Sequence, residues 1–333
     1  MGYKIAILGA TGAVGREMIK CIEEYKLPVD ELRPLASAHS IGKKLPFNGG
    51  EVTVQEATEN SFEGLDFVLG AVGGGMAKQF APAIVKAGAV FIDNSSSFRM
   101  DPNVPLVVPE INGEDAFGHH GIISNPNCST IITMMAIGGI AKLSKIKTMV
   151  ACTYQAASGA GQQGIDDLEQ QERSLMAGEP IVPTKFPTQL VRNVIPFIGA
   201  YKDNGYTDEE MKMQNEGRKI LHMPELNVTC TCVRVPVMRS HSISATLVTE
   251  KPVSVEEAQD AIRTFPGVKL IESGTEPRDY PTPIETSNQN DVFVGRIRKD
   301  LTNPNGLTVW CCGDQIRKGA AANAVQIMRL LMK

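Results

Sequence analysis

The chain has 333 residues, of which 42% are hydrophobic and 21% are charged, and its formal net charge at pH 7 is −4. This length predicts about two domains with a large buried core. The small negative charge excludes the basic surface typical of nucleic-acid-binding proteins and the polybasic patch that holds a protein on a membrane.

The first predicted element is a short apolar strand over residues 4–8, followed at once by a glycine-rich turn and a helical pattern. The turn reads Gly9-Ala10-Thr11-Gly12-Ala13-Val14-Gly15. A strand, a glycine turn and a helix form the context of a dinucleotide-binding fingerprint, in which backbone N–H groups at the helix N-terminus hold a pyrophosphate. The spacing is G-x-x-G-x-x-G rather than G-x-G-x-x-G, so a purely structural turn is the alternative. The chain enters this strand without a signal peptide.

The second predicted strand, residues 32–37, ends without the acidic residue that binds the ribose 2′-hydroxyl of NAD. The residues that follow, 38–44, bear hydroxyls or positive charges. This composition suits a 2′-phosphate and favours NADP, with contacts expected from Ser37, His39 and Ser40. A solvated basic turn is the alternative.

Strands and helices continue to alternate through residue 124. Strands are predicted at residues 66–71 and 89–93, separated by a helix at 76–87 that Gly88 ends. The polar loop 94–99 then follows the end of a strand, where ligands gather in parallel sheets. Arg99 in this loop is a candidate anion-binding side chain, or else an ordinary surface arginine.

One cysteine is placed at the start of a predicted helix. The segment reads Ser124-Asn125-Pro126-Asn127-Cys128-Ser129-Thr130, and an apolar run follows it. Helix-starting residues here place Cys128 where backbone N–H groups and the helix dipole favour a thiolate. The same N–H groups can stabilise an oxyanion. Taken alone, the segment is equally consistent with a small buried thiol.

Beyond residue 145 the pattern becomes that of an α+β domain. The predicted elements are strands at 147–154, 227–235, 241–249, 292–298 and 307–312, and helices at 165–176, 208–221, 254–264 and 316–332. The predicted fold class is therefore α/β, with an N-terminal Rossmann-type NADP-binding domain and an α+β catalytic and dimerisation domain with a mixed sheet. The first domain spans residues 1–127 and is completed by the C-terminal helix 316–333. The second spans 128–315.

The cysteine and histidine patterns predict neither a disulfide framework nor a metal site. The seven cysteines form no C-x-x-C pair, and the five histidines are scattered. We expect reduced thiols in a cytoplasmic protein.

Five motifs distributed over nearly the whole chain carry a family resemblance. They occupy residues 9–15, 124–130, 154–159, 234–242 and 314–321. In order and spacing they resemble the aspartate-semialdehyde dehydrogenases. One departure is His39, where the family commonly has an arginine, and this leaves mixed use of NADP and NAD open.

The resemblance implies reversible, phosphate-dependent oxidation of L-aspartate 4-semialdehyde to 4-aspartyl phosphate with NADP, on the route to lysine, threonine and methionine. It implies that Cys128 attacks the aldehyde and that inorganic phosphate cleaves the resulting thioester. It places the general base at His241, for which His222, outside the motifs, is the rival. Gln155 is expected to orient the substrate or the thioester carbonyl.

The remaining roles also follow from the resemblance. Arg234 is expected to bind the α-carboxylate as a bidentate partner. Glu216 would take the ammonium group, while Lys219 and Arg99 would hold phosphate. Without the resemblance, Glu216 and Lys219 read as an ordinary solvated helix pair. Additional cofactor contacts are expected from Ser158, Gly159 and Gln315.

The predicted assembly is a homodimer with its contact inside residues 128–315, because one chain offers few helices to cover both faces of the second sheet. Two other functions remain open at this point. A sister acyl-phosphate reductase, such as N-acetyl-glutamyl-phosphate reductase, usually has Asn-Pro-Gly-Cys where this chain has Asn-Pro-Asn-Cys. A non-catalytic dinucleotide sensor would not need the set of Cys128, Gln155, Arg234 and His241.

Overall fold

The computed structural model describes residues 2–272 and 278–332. The chain forms two compact units, one made of the residues up to Asn127 and those from Ala320 onward, the other running from Cys128 to Gly319. Within the described ranges, the helices are too short or too polar to cross a membrane.

The first unit contains a six-stranded parallel sheet with helices between its strands. Its elements are β1 (Tyr3–Leu8), α1 (Ala13–Glu24), β2 (Val29–Ala36), β3 (Lys44–Phe47), β4 (Gly50–Thr53), β5 (Gln55–Glu56), β6 (Phe67–Gly70), α2 (Gly74–Lys86), β7 (Val90–Asp93), α3 (Pro109–Asn112) and β8 (Ile122–Ser124). The strand order is β5-β2-β1-β6-β7-β8, and β3 pairs with β4 in a separate hairpin. When the hairpin strands β3 and β4 are left out of the numbering, this strand order is that of a doubly wound dinucleotide-binding fold.

Close packing explains the glycines of the first turn. Gly9 has φ +89°, and a Cβ there would lie 2.5 Å from the carbonyl oxygen of Ala71. A Cβ on Gly15 would lie 2.3 Å from the carbonyl oxygen of Gly9. Side chains at these positions would therefore break the turn between β1 and α1, so the turn presents bare backbone at the helix N-terminus.

The C-terminal helix, Ala322–Leu331, completes the first unit. Asn323 on this helix is fully buried and donates from Nδ2 to the Val107 carbonyl at 2.9 Å and to Asn125 Oδ1 at 2.7 Å. The helix predicted to run unbroken from residue 316 differs at its start, because Arg317–Ala321 forms a π-helical turn. Such turns interrupt α-helices mostly at functional positions.

The second unit is built on a six-stranded mixed sheet. Its elements are α4 (Cys128–Leu143), β9 (Ile146–Gln155), α5 (Gln162–Ala177), α6 (Asp208–Ile220), β10 (Asn227–Arg234), β11 (His241–Thr249), α7 (Val255–Arg263), β12 (Val268–Leu270), α8 (Pro283–Thr286), β13 (Val292–Lys299) and β14 (Gly306–Gly313). The strand order is β10-β9-β11-β14-β13-β12. Strand β9 is parallel to β10 and antiparallel to β11.

The two faces of this sheet differ in burial. Helices α4, α6 and α7 pack together and against the strands, and the β9 residues that alternate with the exposed positions, such as Met149 and Ala151, are buried. On the opposite face of β9, Val150 is 57% exposed and Tyr154 is 38% exposed. In a single chain this face, which we call the open sheet face, presents apolar side chains to water.

Candidate active site

Cys128 is the first residue of α4, as the sequence predicts. Residues 129–140 of this helix are all buried, so its start is held firmly while Cys128 itself is half-buried. The helix dipole and the N–H groups of the first turn favour a thiolate at this position. Gly319 packs directly against it, because a Cβ on Gly319 would lie 2.9 Å from the Cβ of Cys128.

His241 lies beside this cysteine at the start of β11. Its Nε2 is 3.5 Å from the Cys128 Sγ, and its side chain is fully buried. The ring Nδ1 accepts a hydrogen bond from the Ala156 backbone N–H at 3.0 Å. Since a backbone N–H can only donate, the neutral ring carries its proton on Nε2, which faces the sulfur.

Burial is the main reason that the pKa of His241 is lowered to about 3. The positive charge of Arg234 lowers this pKa further, and the negative charge of Glu209 opposes the shift. The imidazole is therefore neutral throughout the physiological pH range.

The backbone before His241 adopts a conformation that needs support. Ser240 has φ +74°, which is uncommon for a residue with a side chain. Its N–H donates to Gln315 Oε1 at 2.8 Å, and its hydroxyl is 2.6 Å from that of Thr286. Gln315, expected among the cofactor contacts, thus helps to fix the chain at His241.

Gln155 is buried next to His241, with its amide orientation fixed at both ends. Its Oε1 accepts from the Thr153 hydroxyl at 3.0 Å. Its Nε2 donates to Glu209 Oε1 at 3.2 Å and lies 3.5 Å from His241 Nε2. The amide cannot titrate, so it supplies fixed polarity beside His241 Nε2.

Arg234 is the last residue of β10 and lies level with Gln155 in the register of the two parallel strands. It is 6% exposed, and its Nη1 donates to the Ala156 carbonyl at 2.5 Å. The ring of Phe186 lies 5.9 Å from the guanidinium carbon. Burial lowers the pKa of Arg234, and nearby anionic groups, Cys128 first among them, oppose the shift.

The carboxylate in this cluster is Glu209, which the sequence analysis did not select. Glu209 is 7% exposed, and its Oε2 is 2.8 Å from Lys212 Nζ. The expected pair, Glu216 and Lys219, has the same i, i+3 spacing but lies seven residues further along α6. Seven residues correspond to about 10.5 Å along a helix axis and return to the same helix face. Glu209 therefore joins the cluster beside Gln155, and the roles expected of Glu216 and Lys219 stay predictions.

The rival histidine, His222, lies just past the end of α6 with φ +53°. The histidine in contact with the Cys128 sulfur is His241.

Arg99, in the first unit, is buried rather than a surface side chain, at 7% exposure. Its Nε donates to the Asn125 carbonyl at 3.0 Å, and its Nη2 donates to the Asn94 carbonyl at 2.7 Å. Asn125 belongs to the segment that precedes Cys128 in sequence, so Arg99 fixes the backbone of that segment.

The expected cofactor residues of the first unit lie at the ends of β1 and β2. Gly9 and Gly15 leave no room for side chains in this turn, whereas a Cβ on Gly12 would make an ordinary contact of 3.4 Å with the Gly9 carbonyl oxygen. Bare backbone at a helix N-terminus suits a pyrophosphate. After β2, a 3₁₀ turn spans Ala38–Ser40. Ser37, which precedes the turn, and His39 are exposed, and Ser40 is buried. These features fit a dinucleotide.

Of the expected cofactor residues of the second unit, Ser158 is bonded to Gln315, and Gly159 packs against Arg234 and His241. Ser158 donates from its hydroxyl to the Met238 carbonyl at 2.5 Å and accepts from Gln315 Nε2. A Cβ on Gly159 would lie 2.9 Å from both Arg234 Nη1 and His241 Cε1. Glycine at this position therefore leaves space for both side chains.

No group of three or more metal-ligating side chains occurs in the part of the chain that the structure describes. Those ranges include all seven cysteines, and no disulfide joins them.

Comparison with known proteins gives matches over both units. Residues 4–119 match the family model "Semialdehyde dehydrogenase, NAD binding domain", and residues 137–318 match "Semialdehyde dehydrogenase, dimerisation domain". The aspartate-semialdehyde dehydrogenase of Aquifex aeolicus is 49% identical, with 100% of this chain and 99% of the relative covered. That of Bacillus subtilis is 45% identical, with 100% and 98% covered.

A solved structure also matches the chain over nearly its whole length. The crystal structure of aspartate semialdehyde dehydrogenase II from Vibrio cholerae, complexed with ASA, is 40% identical with a TM-score of 0.95. The match covers 99% of this chain and 98% of that one.

Proposed function

The chain belongs to the aspartate-semialdehyde dehydrogenase family, and we propose on this premise that it oxidises L-aspartate 4-semialdehyde reversibly to 4-aspartyl phosphate with NADP and inorganic phosphate. As a member of this family it is an oxidoreductase of amino-acid biosynthesis. The observation that carries the proposal is the contact of Cys128 Sγ with His241 Nε2 at 3.5 Å, with Gln155 and Arg234 beside it.

Cys128 acts as the nucleophile. Its thiolate attacks the aldehyde carbon, and the carbonyl oxygen becomes an alkoxide within a hemithioacetal. A nicotinamide cofactor would supply the hydride acceptor for this carbon. The carbon then forms a thioester on Cys128, and a phosphate oxygen attacks it and returns the thiolate.

His241 stabilises the negative charge in this sequence. The resemblance implies a general base at this position. Because the Ala156 N–H donates to Nδ1 and the neutral ring then carries its proton on Nε2, we propose a donor role for it instead. The Nε2–H of His241 donates a hydrogen bond to the thiolate and then to the alkoxide. If Cys128 begins as the thiolate, oxidation to the thioester needs no proton acceptor, so a neutral donor suffices.

The substrate is held through its two charged α-substituents. Arg234 pairs with the α-carboxylate, as expected from the sequence. The ammonium group pairs with a buried carboxylate of α6: the resemblance implies Glu216, and the contact to Gln155 favours Glu209, whose charge acts on both His241 and Arg234. The phosphate-binding roles expected of Lys219 and Arg99 stay predictions.

The glycine turn 9–15 of the first unit would hold the pyrophosphate of a nicotinamide dinucleotide. The cofactor contacts expected of Ser158 and Gly159 stay predictions. NADP is favoured over NAD because β2 ends without an acidic residue.

The assembly is a homodimer formed through the open sheet face of the second unit. Val150 and Tyr154 on this face are exposed in the single chain, and the matched dimerisation domain spans residues 137–318. Apolar side chains of this kind are more stable against a second copy than in water. Location in the cytoplasm stays a prediction.

The deciding experiment measures NADPH formation from aspartate semialdehyde with and without inorganic phosphate. Turnover should require phosphate, and N-acetyl-glutamate semialdehyde should be a poor substrate. Cys128→Ser should lower turnover by several orders of magnitude while NADP binding stays unchanged, because a hydroxyl is a far weaker nucleophile. Full turnover without phosphate, or by the serine variant, would refute the proposal.

A further inference from the structure

A groove in the first unit lies between α1 and β3, beside the glycine turn. Its polar lining is mainly cationic and includes Thr11, Arg16, Lys20, Glu23, Lys43 and Lys44. A groove of this charge next to a pyrophosphate-binding turn is suited to a further phosphate of the same ligand.

Two of these cations are already paired with carboxylates. Lys44 Nζ is 3.0 Å from Glu51, and Lys20 Nζ is 3.6 Å from Glu17. Within residues 2–272 and 278–332, neither Arg16 nor Lys43 has a carboxylate at ion-pair distance. These two side chains therefore retain their charge for a ligand.

The backbone holds Lys43 in place next to the end of β2. Its N–H donates to the Ser40 carbonyl at 3.3 Å, and its carbonyl accepts from Val54 N–H at 2.8 Å. The side chain then turns back, so that Nζ lies 3.4 Å from the Ser40 hydroxyl. Ser40 belongs to the turn that follows β2, where this fold places the adenosine ribose of a dinucleotide.

We propose that Lys43 and Arg16 bind the 2′-phosphate of NADP, with the Ser40 hydroxyl as a further donor. The inference rests on the proposed use of NADP and names the residues that select it. His39 occupies the position where the family resemblance leads one to expect an arginine, and Lys43 supplies the cation from four residues further along. Lys43 contributes a point charge and Arg16 a planar fork of donors, both suited to a dianion.

The test compares Lys43→Gln with Lys44→Gln in the full-length chain. The control residue has the same type, borders the same groove and is adjacent in sequence, but its charge is paired with Glu51. Binding of 2′,5′-ADP and of 5′-AMP is measured by titration calorimetry, which needs no turnover. Lys43→Gln should weaken 2′,5′-ADP binding about 10- to 100-fold, the range for a lost charge-assisted hydrogen bond.

The other binding affinities should change little. Binding of 5′-AMP to Lys43→Gln, and of both probes to Lys44→Gln, should change less than about twofold. Lys43→Arg should keep the preference for 2′,5′-ADP, because it keeps the charge. The ratio of kcat/KM for NADP to that for NAD should fall in Lys43→Gln by the same factor as the 2′,5′-ADP affinity.

The outcomes separate this inference from the proposed function. If the unmodified protein binds 2′,5′-ADP no more tightly than 5′-AMP, the use of NADP fails and the inference with it. If the unmodified protein prefers 2′,5′-ADP and Lys43→Gln keeps that preference, NADP stands and the role of Lys43 is refuted. An equal loss in Lys44→Gln would also refute it, since the effect would be that of general surface charge.

Discussion

Glu209→Gln tests which carboxylate of α6 binds the substrate ammonium group. Glu209 and Glu216 lie on the same helix face, two turns apart, and both are buried, at 7% and 2% exposure. Only the first has a side-chain contact to Gln155 in the catalytic cluster. The substitution keeps an acceptor for the Gln155 amide, because the new side chain has an oxygen at nearly the same place, but it removes the negative charge.

The magnitude follows from the lost interaction. A hydrogen bond between two charged groups contributes about 1.5–3 kcal/mol, which corresponds to roughly 10- to 150-fold in binding. The charge of Glu209 also faces Lys212 at 2.8 Å, so its removal leaves a half-buried cation with a weaker partner. We therefore expect kcat/KM for aspartate semialdehyde to fall by about 10- to 150-fold, mainly through KM.

The assay is steady-state NADPH formation with varied semialdehyde, and Glu216→Gln is the matched control. This variant removes the same charge from the same helix face and from a buried site, so the larger fall in kcat/KM identifies the carboxylate that binds the ammonium group. Thermal unfolding of both variants shows whether either loses its fold. A large effect of Glu216→Gln together with a small effect of Glu209→Gln would refute the reasoning and restore the pair expected from the sequence.

Two further predictions concern the imidazole and the dimer. His241→Gln, which can offer an amide N–H near the Nε2 position, should keep more activity than His241→Ala, whose loss should be roughly 10²–10⁴-fold. Because the pKa of His241 is lowered to about 3, the ring is neutral above that pH, so neither variant should remove an acidic limb near pH 6.5; disappearance of such a limb would restore the general-base role. Val150→Asp on the open sheet face should give a species at the single-chain mass of 35.9 kDa by sedimentation. Leu301→Asp, at a residue already 99% exposed, should not. A mass unchanged from that of the unmodified protein in the Val150→Asp variant would contradict the dimer.

Most helices and strands could be identified from the sequence, because interactions between residues close in sequence determine where they begin and end. Thr207 and Ser254 each begin a helix, and each forms a capping box with the glutamate three residues later. The β11 strand begins and ends where the alternating pattern predicts, at His241 and Thr249. In these segments the caps and the hydrophobic period lead to the same boundary.

The hairpin of β3 and β4 was missed, although its turn carries a strong signal. Asn48 and Gly49 have φ +50° and +74°, the left-handed pair of a tight hairpin turn. An Asn-Gly pair between two short extended segments predicts such a hairpin.

The sequence alone does not distinguish the two glutamates of α6, Glu209 and Glu216, for a different reason. Two Glu-x-x-Lys pairs lie seven residues apart on the same face, so helical periodicity treats them alike. Only the position of α6 along β9 and β10 brings Glu209, and not Glu216, into contact with Gln155. Arg99 posed a related problem, because its residue type gives no sign that it is buried and bonded to the backbone before Cys128.

The direction of three strands explains why distant motifs form one site. Strands β9 and β10 are parallel, so their last residues, Gln155 and Arg234, end at the same edge of the sheet. Strand β11 runs antiparallel to β9, so its first residue, His241, lies at that same edge. The helix N-terminus with Cys128 meets this edge, as the contact to His241 demonstrates. A sequence motif at the end of one strand and another at the start of an antiparallel neighbour should therefore be examined together, because strand polarity brings them into contact.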